Sequence, residues 1–188
     1  MENSAERFRK GGAVTVTMPE SATKYVDGFR RRYDPAMAHI MPHITLVFAP
    51  DLDASHWFSQ HLRIEAALAR IQAFDVHISR VATFSEDLVL WLQPTDSHSE
   101  LLRLRQTIVG LFPGVAIDHI HDFVPHISIG FFSSQDALAE AQAVVQRELV
   151  PFSFHVAVVS FLQADEGDVW HCVDTVKLGT VKTSDSNT

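Results

Sequence analysis

The sequence predicts an α+β fold in which two antiparallel or mixed β-sheets face a central cleft and the helices lie outside. Two observations predict this class. Segments with the two-residue periodicity of strands alternate with segments that have the periodicity of helices, and most connections run from strand to helix or from strand to the adjacent strand. The chain also repeats one order of motifs about eighty residues apart. Such a repeat predicts two lobes related by a pseudo-twofold axis.

The first predicted elements are two strands and two helices. Residues 13–18 alternate as a strand does. Residues 20–33 are predicted to form a helix, which an Asp-Pro pair ends. Residues 44–48 are a short apolar strand that a proline precedes. Residues 56–73 are predicted to form an amphipathic helix, because leucine and alanine recur on one side of it.

A hairpin and a third helix complete the first half of the chain. Residues 74–84 and 88–92 are two strand-like runs on either side of a Ser-Glu-Asp turn, which predicts an antiparallel hairpin. Residues 99–111 place leucine and isoleucine at helical spacing. A Phe-Pro-Gly sequence then marks the boundary before the second half.

The second half repeats the first. Residues 125–131, Pro-His-Ile-Ser-Ile-Gly-Phe, repeat residues 42–48, Pro-His-Ile-Thr-Leu-Val-Phe. Each copy is followed by a predicted helix, which covers residues 134–149 in the second copy. The two repeat units therefore extend over about residues 42–92 and 125–178.

The second unit also ends in a predicted hairpin. Its first arm, residues 152–159, echoes residues 74–81 in its spacing of aromatic, histidine and aliphatic residues. Its second arm, residues 169–178, is matched with residues 88–92. Both units thus read as strand, helix and hairpin, which supports a duplicated architecture.

Length and composition indicate one folded unit. A chain of 188 residues with 46% hydrophobic and 20% charged residues is long and apolar enough to bury a core. We expect a single bilobal domain at residues 13–180, with a disordered N-terminus at 1–12 and a flexible tail at 181–188. The single cysteine, Cys172, excludes an internal disulfide and a thiolate-rich zinc site. We expect it to be buried in a strand of a cytoplasmic protein that does not enter a membrane.

The charge balance restricts the expected partners. Proteins that bind long nucleic acids usually present a basic face to the phosphates, and a net charge of −8 does not indicate such a face. If a nucleic acid is the substrate, we therefore expect a small nucleotide or a strand end. We also expect a monomer. Arg30, Arg31 and Arg32 are consecutive, and we interpret them as the solvated C-terminal end of a helix.

Two histidines stand in matched surroundings. The chain contains three His-x-Ser/Thr tripeptides, which begin at His43, His77 and His126, so the tripeptide alone carries little information. The first and third share a preceding proline, an isoleucine between the two polar residues and a phenylalanine at the end. His77 lacks the proline. The matched pair therefore consists of His43 with Thr45 and His126 with Ser128.

This pairing suits the chemistry of a phosphate. Each histidine shares a strand face with its hydroxyl residue, about 6.5–7 Å away, and the intervening residues, with Phe48 and Phe131, are expected to face the core. A pseudo-twofold axis would bring both couples around one anion, with hydroxyls on the nonbridging oxygens and imidazoles beside the attacking and leaving oxygens. An imidazole pKa near 6.5 allows one ring to be neutral and the other protonated. Two unrelated, half-exposed strand histidines are the alternative, which the matched repeat disfavours.

The two motifs resemble those of the 2H phosphoesterase superfamily, and specifically its 2′-5′ RNA ligase-like branch. The resemblance is carried by His43-Ile-Thr-Leu and His126-Ile-Ser-Ile, and by the approach to the first motif from Arg30 to Pro35. It implies a duplicated bilobal 2H phosphoesterase-like fold over nearly the whole chain. It also implies that His43 and His126 are catalytic and that Thr45 and Ser128 bind the phosphate, without a metal or another cofactor.

The resemblance implies hydrolysis of a 2′,3′-cyclic phosphate, a related cyclic nucleotide phosphate or a 2′-5′ linkage; some members join RNA ends. For a cyclic phosphate we assign His126 as the base that activates water and His43 as the acid on the leaving ribose oxygen. The acidic charge balance argues against RNA ligation. A nucleotide- or phosphate-binding module without turnover is the alternative on the same fold.

The remaining candidates each have a structural alternative. Phe132 is predicted to share a face with His126 and Ser128 and is a candidate for stacking on a base, although plain packing explains it equally well. His119 and His121 are flanked by carboxylates and are candidate metal ligands of a metallohydrolase. The alternative interpretation is a polar strand or loop. The tryptophans are expected in the core or between the lobes and are Trp57, Trp91 and Trp170.

Overall fold

A computed structural model of the protein describes residues 11–49, 51–115 and 123–180. The strands are β1 (Gly12–Thr17), β2 (His43–Ala49), β3 (Phe74–Phe84), β4 (Val89–Pro94), β5 (Ile127–Phe131), β6 (Phe152–Val156), β7 (Val158–Ala164) and β8 (Trp170–Lys177). The helices are α1 (Glu20–Tyr33), α2 (Ala54–Ser59), α3 (His61–Leu68), α4 (His98–Leu111) and α5 (Gln135–Glu148). The predicted tail at 181–188 and the first ten residues lie outside the described residues. Gly12, predicted to be disordered, begins β1 and is buried.

These strands form two four-stranded sheets, and every pair of neighbouring strands is antiparallel. The first sheet has the order β2-β1-β7-β8 and the second has the order β5-β4-β3-β6. The predicted α+β fold with two sheets is confirmed. Each motif strand, β2 or β5, is an edge strand of its own sheet. One hydrophobic cluster contains buried side chains from both sheets.

Two helices pack against the sheet to which they are not connected in the sequence. α1 connects two strands of the first sheet but packs against β5 of the second, whereas α4 follows a strand of the second sheet and packs against β2 of the first. This exchange holds the two edge strands β2 and β5 next to each other. Among the described residues, no helix combines the length and the apolar character that crossing a membrane requires.

Two predicted elements are each divided in the structure. The predicted helix at 56–73 is the pair α2 and α3, because Gln60 leaves helical geometry with φ −108° and ψ 5°. The predicted strand at 152–159 is β6 followed by β7. The chain passes at Ala157 from the second sheet to the first, so the two halves of this segment pair with different sheets.

The strand register reproduces only part of the sequence repeat. Moving inward from Thr45 leads through β1 to Ser160 of β7, and moving inward from Ser128 leads through β4 to Ala82 of β3. Ala82 and Ser160 are as far apart in the sequence as residues 74 and 152, at which the first arms of the two predicted hairpins begin. The second arms are not equivalent, because β4 lies in the middle of its sheet and β8 is an outer edge. The place of β4 is taken in the first sheet by β1.

Both motif strands contain one extra residue at the matched position. Leu46 in β2 and Ile129 in β5 have no partner in the register of the neighbouring strand, which is the signature of a β-bulge. The bulge shifts the alternation of the residues that follow it. Phe48 and Phe131 therefore lie on the face of the motif hydroxyls, and the prediction that they face the core is wrong. Phe131 is 46% exposed.

Cys172 also differs from its prediction, because it is exposed. It lies in β8, which pairs on one side only and has mostly exposed side chains. Trp57 is fully buried, as expected for a core residue, and stacks on Phe161 with ring centroids 4.8 Å apart.

Gly130 is expected to be intolerant of a side chain. A methyl group at this position would lie 2.7 Å from Cβ of Tyr33 and 2.9 Å from Cε2 of Phe132, so Gly130→Ala would push α1 away from β5. We expect a loss of about 1–3 kcal/mol in the free energy of unfolding, measured by urea denaturation. The matched control is Gly28→Ala in α1, where the methyl group meets open space and should add up to about 1 kcal/mol. Equal effects of the two substitutions would contradict this packing.

Candidate active site

The two motifs meet at one cavity between β2 and β5, which we call the central cavity. His43, Thr45, His126 and Ser128 all line it, in a volume of about 170 Å³. The structure thus brings together all four residues that the sequence pairs. Neither hydroxyl has a hydrogen-bond partner among the described residues, so both are available to a bound group. The cavity has room for a group the size of a phosphate.

Each histidine ring is fixed by the same local bond. Nδ1 of His43 donates to the carbonyl oxygen of Met41 at 2.7 Å, and Nδ1 of His126 donates to that of Val124 at 2.8 Å. A carbonyl oxygen only accepts, so Nδ1 carries the hydrogen and Nε2 is the nitrogen that gains or loses a proton. The intervening residue is a proline in both motifs, which holds the preceding residue extended. This gives the Pro-His sequence signal a physical meaning.

Burial holds both rings in the neutral form near pH 7. Loss of solvent lowers the pKa of His43 to about 4, and the positive charges of Arg30 and protonated His126 act in the same direction, while the bond to Met41 opposes them. Burial likewise lowers the pKa of His126, and the bond to Val124 opposes this. A bound anion would act in the opposite direction and favour a protonated ring.

Arg30 lines the central cavity and is buried, so the interpretation of the arginine triplet as solvated is wrong for this residue. Its side chain is only 2% exposed and pairs with Asp34 at 2.7 Å and Asp27 at 3.0 Å. It also donates to the carbonyl oxygen of Ile40 at 2.7 Å. Arg30 thereby ties the end of α1 to the loop that supplies the Met41 carbonyl.

Arg30 lines the central cavity but was not predicted as a site residue. The available signal was an acidic residue four positions later, at the end of the helix, which suits an ion pair. Both carboxylate oxygens of Asp34 accept a hydrogen bond: one from Arg30 and the other from the backbone N–H of Ala36 at 2.8 Å. Arg31 and Arg32 are exposed.

The walls next to the two histidines differ. The ring of His126 makes edge contacts with Phe84 at 5.0 Å and Trp91 at 5.9 Å between centroids. On the first sheet, Thr17 is paired with His43 in the register, and its hydroxyl lies 3.0 Å from that of Ser160. His126 therefore has aromatic rings as neighbours, whereas the strand residue paired with His43 carries a hydroxyl, which breaks the pseudo-symmetry of the pair.

Phe132 does not have the position that the sequence predicts. The bulge at Ile129 places Phe131 on the face of Ser128, so Phe131 lines the central cavity. Phe132 packs against Tyr33 with centroids 5.8 Å apart. The candidate stacking role of Phe132 depended on a strand face shared with His126 and Ser128, and Phe131 has that position instead.

The proposed metal ligands His119 and His121 lie outside the described residues. Within the part of the chain that the structure describes, no three His, Cys, Asp or Glu side chains are grouped closely enough to hold a metal ion.

Comparison with known sequences identifies relatives over most of the chain. A sequence model of the 2′-5′ RNA ligase superfamily matches residues 18–168. A protein of Staphylococcus haemolyticus, provisionally named phosphoesterase SH1944, is 29% identical over 157 residues, which cover 81% of this chain and 90% of the relative.

Comparison with solved structures shows the same fold at low sequence identity. Escherichia coli LigT in its apo form has a TM-score of 0.60 and 15% identity, over 90% of this chain and 98% of LigT. TT0787 of Thermus thermophilus has a TM-score of 0.63 and 14% identity, over 91% of this chain and 99% of TT0787. LigT has also been solved in complexes with phosphate and with 3′-AMP.

Sulfate is expected to bind the central cavity more tightly as the pH falls from about 7 to about 5. The anion raises the lowered pKa of a half-buried histidine, so binding takes up a proton and the affinity rises by at most about tenfold per pH unit. Sulfate stays ionised in this range, so the proton goes to the protein. Calorimetry in two buffers of different ionisation enthalpy measures the uptake. The variant with both His43→Gln and His126→Gln should lose the pH dependence, and a pH-independent wild-type affinity would contradict the expectation.

Proposed function

Because the chain belongs to the 2′-5′ RNA ligase superfamily, we propose that it is a phosphoesterase that hydrolyses a 2′,3′-cyclic phosphate or a 2′-5′ phosphodiester. The substrate is a small nucleotide or an RNA end, and the two histidines act as acid and base without a metal. The convergence of two His-hydroxyl couples on the central cavity carries this proposal. The LigT complexes with phosphate and 3′-AMP support it by analogy of fold.

Thr45 and Ser128 hold the scissile phosphate in this proposal. Each hydroxyl donates to a nonbridging oxygen, on which negative charge increases when the nucleophile attacks. Both are unpaired among the described residues and belong to strands that are fixed by packing. The donors therefore need little rearrangement when the substrate binds.

Two proton transfers at Nε2 accompany the displacement at phosphorus. Nε2 of His126 removes a proton from water, whose oxygen forms the new bond to phosphorus. The bond from phosphorus to the 2′- or 3′-oxygen of ribose breaks, and Nε2–H of His43 protonates that oxygen. The products are a nucleoside monoester and the pair of histidines with its proton moved from one ring to the other. In the reverse direction the two roles exchange.

Binding of the anionic substrate causes a histidine to take up from solvent the proton that the reaction needs. Burial keeps both rings neutral in the protein alone, and the anionic diester raises their pKa. One proton taken up with the substrate leaves one acid and one base in the cavity. Ligation of RNA ends would use the same groups in reverse and is disfavoured by the net charge of −8.

Replacement of either histidine is expected to abolish most of the turnover. His43→Ala and His126→Ala should each lower kcat by about 10²–10⁴, because each removes one proton transfer. The assay uses 2′,3′-cyclic nucleotides and 2′-5′ dinucleotides in the presence of EDTA and identifies the monoester by chromatography. Circular dichroism verifies that the variants are folded.

His77→Ala is the matched control, because His77 also precedes a serine by two residues but bonds to Ser153, away from the cavity lining. It should retain wild-type activity. Full activity in the double variant, or loss of activity with EDTA, would refute the mechanism. Tight binding of a nucleotide that is recovered unchanged would favour the binding module.

A substrate that needs no acid separates the roles of the two histidines. Thymidine 3′-(p-nitrophenyl phosphate) releases p-nitrophenolate, which leaves without protonation, and it has no 2′-hydroxyl. The loss of kcat in His43→Ala should therefore shrink on this ester, whereas His126→Ala should stay as impaired as on the cyclic substrate. The release of p-nitrophenolate is followed by absorbance. The opposite pattern would exchange the assignments of acid and base.

A further inference from the structure

A second depression borders the central cavity, and we call it the side groove. Its volume is about 480 Å³, and it is lined by Arg31, Arg32, Tyr33, Asp34, Pro35, Phe131 and Phe132. Asp34 and Phe131 line both the side groove and the central cavity. A ligand whose phosphate lies between the two histidines can therefore continue into the side groove.

Arg31 is the available cation of the side groove. It is exposed and has no ion-pair or hydrogen-bond partner among the described residues. Arg32 is engaged, since it bonds to Glu148 at 2.7 Å and its guanidinium lies over Tyr33 at 5.2 Å. The carboxylate of Asp34 is paired with buried Arg30, which also pairs with Asp27. A free positive charge at this place in an acidic protein suits an anionic group of the ligand.

Phe131 provides an apolar surface between the two depressions. It is 46% exposed because the bulge at Ile129 turns it out of the core. The next residue, Phe132, packs against Tyr33, and both also line the side groove. A single exposed apolar residue is common on protein surfaces, but Phe131 lies in the wall that the side groove shares with the central cavity. Nucleobases stack on aromatic side chains in such positions.

We propose that the side groove binds the nucleoside part of the substrate together with a second phosphate, with the base on Phe131 and the second phosphate at Arg31. This inference rests on the proposed function and specifies the substrate class as a cyclic phosphate that carries another phosphate group. The second phosphate is either a 5′-phosphate on the same nucleotide or the last internucleotide phosphate of an RNA end. Both present phosphate oxygens with negative charge to Arg31, as a monoester or as a diester.

Three substrates test the groove through kcat/KM, with EDTA present. They are adenosine 2′,3′-cyclic phosphate, its 5′-phosphorylated form and the dinucleotide ApA with a terminal 2′,3′-cyclic phosphate. The wild type should prefer at least one doubly phosphorylated substrate by about tenfold at low salt, and less at high salt. The preferred one identifies the source of the second phosphate. In Arg31→Gln the ratio should fall to near one, whereas the control Arg70→Gln, an exposed arginine outside both cavities, should keep it.

Phe131→Leu tests the stacking surface. We expect kcat/KM to fall about tenfold on all three nucleotides, through a higher KM, because a base loses its aromatic partner. Phe58→Leu is the matched control, since Phe58 is 50% exposed on α2 and lines neither cavity. Equal effects of the two substitutions would overturn the stacking role.

The groove and the proposed function fail in different ways. Equal kcat/KM for the three substrates, or an unchanged preference in Arg31→Gln, would overturn the groove while phosphoesterase activity remains. If no substrate is turned over, calorimetry with adenosine 3′,5′-bisphosphate and 3′-AMP still measures the groove. Tighter binding of the bisphosphate that Arg31→Gln abolishes would support it, and equal binding of the two ligands would overturn it.

Discussion

The contact between the two edge strands β2 and β5 is the constraint on which the site depends. An edge strand has unpaired backbone groups, and each sheet alone would present its motif histidine to solvent. The exchanged helices prevent this, because α1 covers β5 and α4 covers β2. Arg105 of α4 adds a bond to the carbonyl oxygen of Leu46 at 2.6 Å, at the bulge of β2. Each motif strand is therefore held in place by a helix whose neighbours in the sequence are strands of the other sheet.

The matched bulges turn this meeting of strands into a site with a specific shape. Without Leu46 and Ile129 as extra residues, the alternation of each strand would send Phe48 and Phe131 into the core. With them, each strand presents a histidine, a hydroxyl and a phenylalanine on one face. The two halves are then differentiated by their neighbours, which are hydroxyls near His43 and the rings of Phe84 and Trp91 near His126. The sequence repeat provides the two His-hydroxyl couples, and differences between the neighbouring strands give the two histidines different surroundings.

The sequence predicted what is encoded in local pattern and in the repeat. The bounds of α1 and β3 and the pairing of His43 with His126 required only periodicity and matched motifs. The bulges were not predictable, because Leu46 and Ile129 are apolar residues in apolar strands and leave no mark in the pattern. The burial of Arg30 depends on a carbonyl in the following loop, and the exposure of Cys172 depends on the edge position of β8. These features are set by tertiary contacts, which a local pattern does not contain.

In the proposed reaction, the way in which the rings are held also explains how a nearly symmetric pair would supply one acid and one base. Because a backbone carbonyl occupies Nδ1 of both His43 and His126, proton exchange is confined to Nε2 of each ring. Burial disfavours the charged form of both, so neither ring is committed to the acid role before an anion arrives. The bound phosphate favours one added proton, but repulsion between two imidazolium ions disfavours a second. In this proposal a single proton held by the two Nε2 atoms gives one acid and one base, and the orientation of the leaving oxygen determines which ring donates.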